Sequence, residues 1–316
     1  MKILVIGPHE SPIIQRLIIN LEKRNHIVSL ASYNAENKKN IINLGNLKSF
    51  YDFFKLNKIN KIVKKLQPDI VHAHVVNHYG IMALKQPKPL VVALWGSDIM
   101  LAPHSGNLIK KSIFRIINFL VLRKANLCHT SAHHVAREAE NQYRGALAKT
   151  KVFYWGFPLD KPANDNFQKI SIHLKKEFGL NDGEKYIVFP RGLDDIYSPK
   201  IVAKIINKLK NELQNSKQIV VLKGFCGENK VDDFGALTNL NEITYINRVL
   251  DSEELYYLYK YTFVHVSIPV SDSLGGGVVE PSLLGSFPIL SNLPSYHDYS
   301  SKNSAHIMAS FEDIEI

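Results

Sequence analysis

Short apolar, β-branched runs recur along the chain, separated by stretches long enough for a helix. In the first half they fall at Ile3–Ile6, Ile27–Leu30, Ile70–His74, Leu90–Leu94, Leu127–Ser131 and Val152–Trp155. A second series follows at Ile187–Pro190, Ile219–Leu222, Ile243–Ile246, Val264–Ile268, Phe287–Ser291 and His306–Met308. Strands that are apolar throughout belong in parallel sheets covered on both faces, so each series predicts a doubly wound α/β unit. The segment between them, GFPLDKPANDNF, carries Pro158, Pro162, Asn164 and Asn166 and reads as a linker. Two domains are expected, residues 1–157 and 158–316. Such sheets bind ligands beyond the carboxyl ends of their strands, which points to a cleft between the two units as the site.

A length of 316 residues exceeds what one core usually fills, in keeping with two domains, and an apolar share of 45% supports packed globular units. No segment approaches the roughly 18 uninterrupted apolar residues of a membrane span. The N-terminal apolar run stops at Gly7-Pro8, too early for a secretory signal, so a cytoplasmic location is expected. Cys128 and Cys226 are too few for a disulfide framework and read as reduced, structural thiols.

The net charge of +10 is unevenly spread: residues 1–160 hold 23 Lys+Arg against 9 Asp+Glu, and the remainder 16 against 20. The first half is therefore +14 and the second −4, which implies an anionic partner for the N-terminal half. Basic residues cluster at 48–65, among Phe50, Tyr51, Phe53 and Phe54, and again in LIKKSIFRIINFLVLRK at 108–124. The second cluster predicts a basic helix rich in apolar residues, either lying on an anionic membrane surface or packing an ordinary core face with a solvated rim. Neither cluster shows an RNA-binding signature, helix-turn-helix or zinc-finger spacing, and nucleic acid is not expected as a partner.

The most informative chemistry lies in VSIPVSDSLGGGVVEPSLLGSFPILSNLPSYHDY, residues 266–299. Val264–Ile268 predicts a strand, Asp272 the loop after it, and Gly275, Gly276 and Gly277 the start of a helix carrying Glu280. Glycines at a helix N-terminus let backbone N–H groups meet phosphate oxygens with no Cβ in the way. Glu280 is then placed to accept from a ribose and Asp272 to hold hydroxyls of a transferred sugar. Pro281 is expected in the first helical turn, where its missing N–H is harmless. A glycine-rich turn with a solvated helix-start carboxylate is the plainer alternative.

Five segments taken in order resemble the GT-B glycosyltransferases of the large retaining family numbered four. They are Met1–Gly7, PDIVHAH ending at His74, LWGSD ending at Asp98, Val152–Gly156 with Asp160, and Asp272–Glu280 with Gly285 and Pro288. The resemblance implies transfer of a sugar from a nucleotide-sugar co-substrate to a glycan or lipid-linked acceptor, with retention, in assembly of bacterial surface polysaccharides at the inner face of the membrane. It places the donor on the C-terminal unit and the acceptor on the N-terminal one. No cofactor or metal is implied, and no Asp-x-Asp pair is present to hold a divalent ion. Arg191 in PRGLDDIY matches the family's phosphate-binding arginine, whose planar fork suits phosphate oxygens. The lysine usual five residues later is Ile196 here, leaving Lys223 or Lys200, of which Lys223 is favoured.

The donor set expected is therefore Gly7, Arg191, Lys223, Gly275–Gly277 and Glu280, with Asp272, His74 and Arg191 as the catalytic group and Trp95 and Asp98 on the acceptor side. Trp95 stands where many members carry a histidine, whose role is either absent here or filled by His74. His72 and His74 share a strand face, yet no third ligand shows zinc spacing, and His129, His133 and His134 read as surface or packing residues. Against the resemblance, the chain stops at Ile316, before the usual helices crossing back to the first unit, so either this branch is minimal or the chain is truncated. A sugar-nucleotide epimerase on the same scaffold and a non-catalytic nucleotide-sugar-binding protein are the alternatives.

Overall fold

The computed structural model describes residues 1–36, 40–154, 162–224, 227–300 and 306–308. Contacts divide the chain into two units, Met1–Trp155 and Gly156–Ile316. The first holds strands β1 (Lys2–Ile6), β2 (Ile27–Ser32), β3 (Ile41–Asn43), β4 (Ile70–His74), β5 (Leu90–Ala93), β6 (Leu127–Thr130) and β7 (Thr150–Val152). The second holds β8 (Tyr186–Phe189), β9 (Ile219–Leu222), β10 (Thr244–Ile246), β11 (Thr262–Ser267), β12 (Phe287–Ser291) and β13 (His306–Met308).

Both sheets are wholly parallel, in the orders β3-β2-β1-β4-β5-β6-β7 and β10-β9-β8-β11-β12-β13. The expected pair of doubly wound α/β units is therefore borne out. Central strands are buried on both faces: Leu4, Val5 and Ile6 in β1, and Tyr186–Phe189 and Ile219–Leu222 in the second unit. This burial explains why their sequences are apolar throughout. In each sheet the strand order reverses once, between β1 and β4 and between β8 and β11. At such a reversal the connecting helices leave on opposite faces, opening a crevice beyond the carboxyl ends.

Three local expectations differ. Strand β3 was not foreseen, because Ile41–Asn43 is too short for any period to show and follows the polar run 36–40. Strand β7 spans Thr150–Val152, not 152–155; Phe153 and Tyr154 leave the sheet half exposed, and Trp155, with Asp160, lies outside the described residues. Pro281 is sixth in its helix, Gly276–Leu283, past the first turn, so its missing N–H removes a bond to the Gly277 carbonyl. Cys128 is buried and its thiol is pushed up to about 11 by burial, as suits a packing role, while Cys226 lies outside the described residues.

The loops after β8 and β9 touch through two glycines. Gly224 has φ +65°, and a Cβ there would stand 2.7 Å from Gly192 Cα, a backbone atom with no room to yield. Gly224→Ala is expected to lower stability by about 1–3 kcal/mol, through left-handed strain and this contact. Chemical denaturation of the purified variant reads the effect, and an unchanged midpoint would contradict the packing.

Candidate functional site

Arg191 leaves the carboxyl end of β8 and Asp272 lies in the loop after β11, so the two flank the reversal of the second sheet. Arg191 Nη2 donates to Asp272 Oδ1 at 3.2 Å, and both side chains are largely buried, 16% and 8% exposed. The same oxygen accepts from the Ser273 N–H at 3.0 Å. Oδ2 accepts from the Gly275 N–H at 3.0 Å and the Tyr296 hydroxyl at 2.7 Å. A carboxylate offers about four acceptor positions. All four are thus engaged, two by the loop's own N–H groups and two by Arg191 and Tyr296, which changes the role expected for Asp272: it fixes the loop and orients Arg191, and these bonds leave no position toward a sugar hydroxyl.

The other face of Arg191 rests on the glycines. A Cβ on Gly275 would lie 2.1 Å from Arg191 Nη1, and one on Gly277 2.9 Å from Arg191 Cδ. Beneath the guanidinium the Tyr197 ring centre is 4.8 Å away, a cation–π arrangement. Burial is the largest influence on Arg191 and lowers its pKa, but Asp272 and the phenols of Tyr296, Tyr197 and Tyr259 together outweigh it; the net shift is upward, so the cation is permanent. Gly275 caps the helix and its N–H belongs to Asp272; Gly276 and Gly277 are the first two helical residues, whose N–H groups have no intrahelical carbonyl to reach. Two amides and a guanidinium thus converge at a helix N-terminus, an anion-binding geometry.

Glu280 is half-buried in the same helix and, after burial itself, contributes to raising the pKa of the fully buried Tyr259 phenol. Lys223, half-buried, directly follows β9, its N–H on the Ile246 carbonyl, beside a pocket of about 200 Å3 that Glu228, Asp232, Tyr245 and Asn247 also line. Lys200 is exposed at the start of its helix. The Ile196 carbonyl accepts from the Val270 N–H at 2.8 Å, which ties the loop after β8 to the loop after β11. Tyr197 and Tyr296 carried no sequence signal, because their parts are set by distant packing: Tyr296 is wholly buried and reaches Asp272 from 24 residues away. Leu274 was likewise unmarked, a non-glycine held at φ +68° by burial against Val278, Leu290 and Tyr296.

In the first unit Gly7, His74 and Trp95 gather at the carboxyl ends of β1, β4 and β5. A Cβ on Gly7 would meet Ile14 Cδ1 at 2.5 Å and His74 Cβ at 3.1 Å, so helix packing already requires a glycine there. The Trp95 indole N–H donates to His74 Nδ1 at 3.2 Å, which assigns the His74 proton to Nε2. His72 and His74 do share a face, with ring centres 4.3 Å apart. His129, expected at the surface or in packing, joins them from β6: its Nε2 lies 2.8 Å from His72 Nε2 and its ring stacks on Phe153. Burial drives His74 down to about 3 and His129 to about 4, and moves His72 well below its ordinary value, so all three are neutral at pH 7. Among the described residues no group of three or more His, Cys, Asp or Glu is placed to hold a metal ion.

The acceptor-side role expected for Asp98 does not fit its position. It is buried, and its carboxylate accepts from the backbone N–H of Trp95 at 3.0 Å and of Val76 at 3.2 Å, bracing the loop after β4 against the turn after β5. Burial pushes its pKa up to about 6, against the pull of those N–H groups.

Residues 2–131 match the family described as Glycosyl transferase 4-like, and no curated protein sequence matches the chain. Among solved structures, the chain is similar to Anabaena HepE in complex with UDP-glucose, with a TM-score of 0.72 at 15% identity over 98% of this chain and 85% of that one. It is similar to a glycosyltransferase from Rickettsia africae, TM-score 0.70 at 15% identity over 98% and 85%. Sucrose-phosphate synthase from Thermosynechococcus elongatus gives a TM-score of 0.75 at 12% identity over 99% and 87%. The GT-B class and the resemblance to glycosyltransferases are borne out.

The neutral histidines set a pH dependence. Their folded pKa values lie below the unfolded value of about 6.5, so the unfolded chain takes up protons first and stability falls as pH drops below about 6.5, by about 1.4 kcal/mol per pH unit for each. Asp98, raised to about 6, takes up a proton in the folded state between about 6 and 4 and offsets one histidine there. Urea unfolding at pH 5 should show a lower midpoint than at pH 7, and His129→Gln should narrow that gap; equal midpoints would exclude neutral burial.

Proposed function

We propose that the chain transfers a sugar from a nucleoside-diphosphate donor to a hydroxyl of a glycan or lipid-linked acceptor. The observation that carries this reading is the seat of Arg191 on Gly275 at the reversal of the second sheet, beside the open N–H groups of Gly276 and Gly277. A diphosphate bound there receives bidentate bonds from a guanidinium that is already oriented and desolvated, so little reorganisation accompanies its charge development. Lys223 is the second cation of the donor site and Glu280 the ribose acceptor. The acceptor takes the N-terminal unit, at the strand ends that carry Gly7, His74 and Trp95.

In the proposed reaction the acceptor oxygen forms a bond to the anomeric carbon on the face from which the diphosphate departs. The bond between that carbon and the phosphate oxygen breaks, and the leaving phosphate takes the acceptor proton, which gives retention. Arg191 and the two amides stabilise the leaving charge in this scheme and no divalent ion is needed. Asp272 acts through Arg191 and the loop, as a positioning residue.

Thermal unfolding with a panel of nucleotide sugars tests the donor site: a hundredfold excess over the dissociation constant stabilises by about 2.7 kcal/mol. Arg191→Lys keeps the charge but loses the fork, and Gly275→Ala displaces the guanidinium; each is expected to weaken donor binding at least about tenfold. Donor bound equally well by both variants would overturn the assignment. Release of nucleoside diphosphate that depends on added acceptor marks transfer. Interconversion of the sugar without that release would establish the epimerase reading, and binding with neither would establish a binding protein.

A further inference from the structure

We infer that the helix Leu108–Lys124 docks the first unit on an anionic lipid bilayer, and that it does so through a stripe of side chains that the core leaves uncovered. The helix is apolar nearly all round, which in a soluble unit normally means full burial. Only one side is buried here: Phe114, Ile117, Val121 and Leu122 enter the core with Asn118, whose amide bonds the Asp98 carbonyl at 3.0 Å. On the other side Ile109, Ile113, Ile116 and Leu120, spaced i, i+4, i+7 and i+11, form one exposed stripe. Ile109 is 71% exposed and Ile116 59%, and Leu108, at 81%, extends the stripe at the first turn. Six exposed large apolar residues on one helix, Phe119 being the sixth, mark an interaction surface.

Charge decides what covers the stripe. The helix contains no acidic residue, while Lys110, Arg115, Arg123 and Lys124 are all exposed. By helical spacing Arg115 lies on one flank of the stripe and Lys110 and Lys124 on the other, the arrangement in which cationic heads meet phosphates while apolar tips enter the acyl boundary. The Phe50 ring meets Phe114 at 5.3 Å, which brings the other basic segment, with exposed Tyr51 and Phe54, beside this helix. A second copy of the chain would set cations against cations, in a half of the chain, residues 1–160, that already carries +14. Among the described residues no helix is long and apolar enough to cross a membrane, so contact through this face is peripheral.

Lipid contact through this face does not depend on donor binding and can be measured apart from it. Flotation of the full chain with vesicles of mixed phosphatidylglycerol and phosphatidylcholine is expected to exceed flotation with phosphatidylcholine alone by at least about tenfold, at about 1 kcal/mol per basic residue near the surface. Ile109→Glu, Ile116→Glu and Leu120→Glu combined should reduce binding to the mixed vesicles at least about tenfold; these side chains are exposed, so unfolding temperature and stabilisation by nucleotide sugars should not change. Lys110→Glu, Arg115→Glu and Lys124→Glu combined give a second variant with the same expectation should the first fail to fold. Equal binding to neutral and mixed vesicles, or wild-type binding by either folded variant, overturns the proposal. So does a sedimentation-equilibrium dimer abolished by the apolar variant without any vesicle binding.

Discussion

One buried ion pair organises the second unit. Moving a guanidinium and a carboxylate out of water costs several kcal/mol each, and their attraction offsets this only when the remaining hydrogen-bond positions are filled. Asp272 fills its own with the N–H groups of Ser273 and Gly275 and the hydroxyl of Tyr296, so the loop after β11 is wound around the carboxylate. The winding takes Leu274 through φ +68°, a conformation unfavourable for a leucine by about 1–3 kcal/mol and held by its burial. In return Arg191 is pinned against Gly275, and its charge is presented at the end of a helix whose first amides point the same way. Removing either partner strands the other as a buried charge, which makes the pair a device for orientation more than a source of stability.

The architecture was legible because parallel sheets leave a strong trace. Strands buried on both faces must be apolar throughout, and Ile3–Ile6, Ile70–His74 and Ile219–Leu222 announce themselves in that way. Ile41–Asn43 does not, since an edge strand of three residues needs no such pattern. The three glycines and Arg191 were legible as residue types suited to phosphate, but the reason for Gly275 was not. Its missing Cβ makes room for an arginine 84 positions earlier in the chain, a relation that only the adjacency of β8 and β11 creates. Tyr296, Tyr197 and His129 were illegible for the same reason. Asp98 was misplaced because a carboxylate in a Gly-Ser-Asp turn looks solvent-facing until the chain returns to put Val76 and Asn118 against it.

The two units solve opposite electrostatic problems. In the first, burial keeps His72, His74 and His129 neutral, while Asp98, raised only to about 6, stays largely ionised at neutral pH with its charge met by the N–H groups of Trp95 and Val76. Its large positive balance lies instead on outer helices, with Lys110, Arg115, Arg123 and Lys124 all exposed. The neutral histidines and the Trp95 ring at these strand ends would suit the proposed polyhydroxylated acceptor, whose hydroxyls gain from donors and acceptors more than from net charge. The second unit is acidic overall, yet presents a permanent cation and helix amides at its sheet reversal.

Net charge is therefore a poor guide to where an oriented cation lies. Attraction between exposed charges is screened within about 8–10 Å at physiological salt, so the balance of −4 over the second half reaches Arg191 only weakly. A buried guanidinium with its Asp272 partner on one edge and Tyr197 below has its remaining N–H groups fixed in direction, and direction decides what binds. An excess of exposed cations acts at the scale of a surface and favours an extended anionic sheet, whereas one oriented guanidinium acts at the scale of a single small anion. On the proposed reading the two anions would be taken by different halves, the smaller one by the half of opposite net sign.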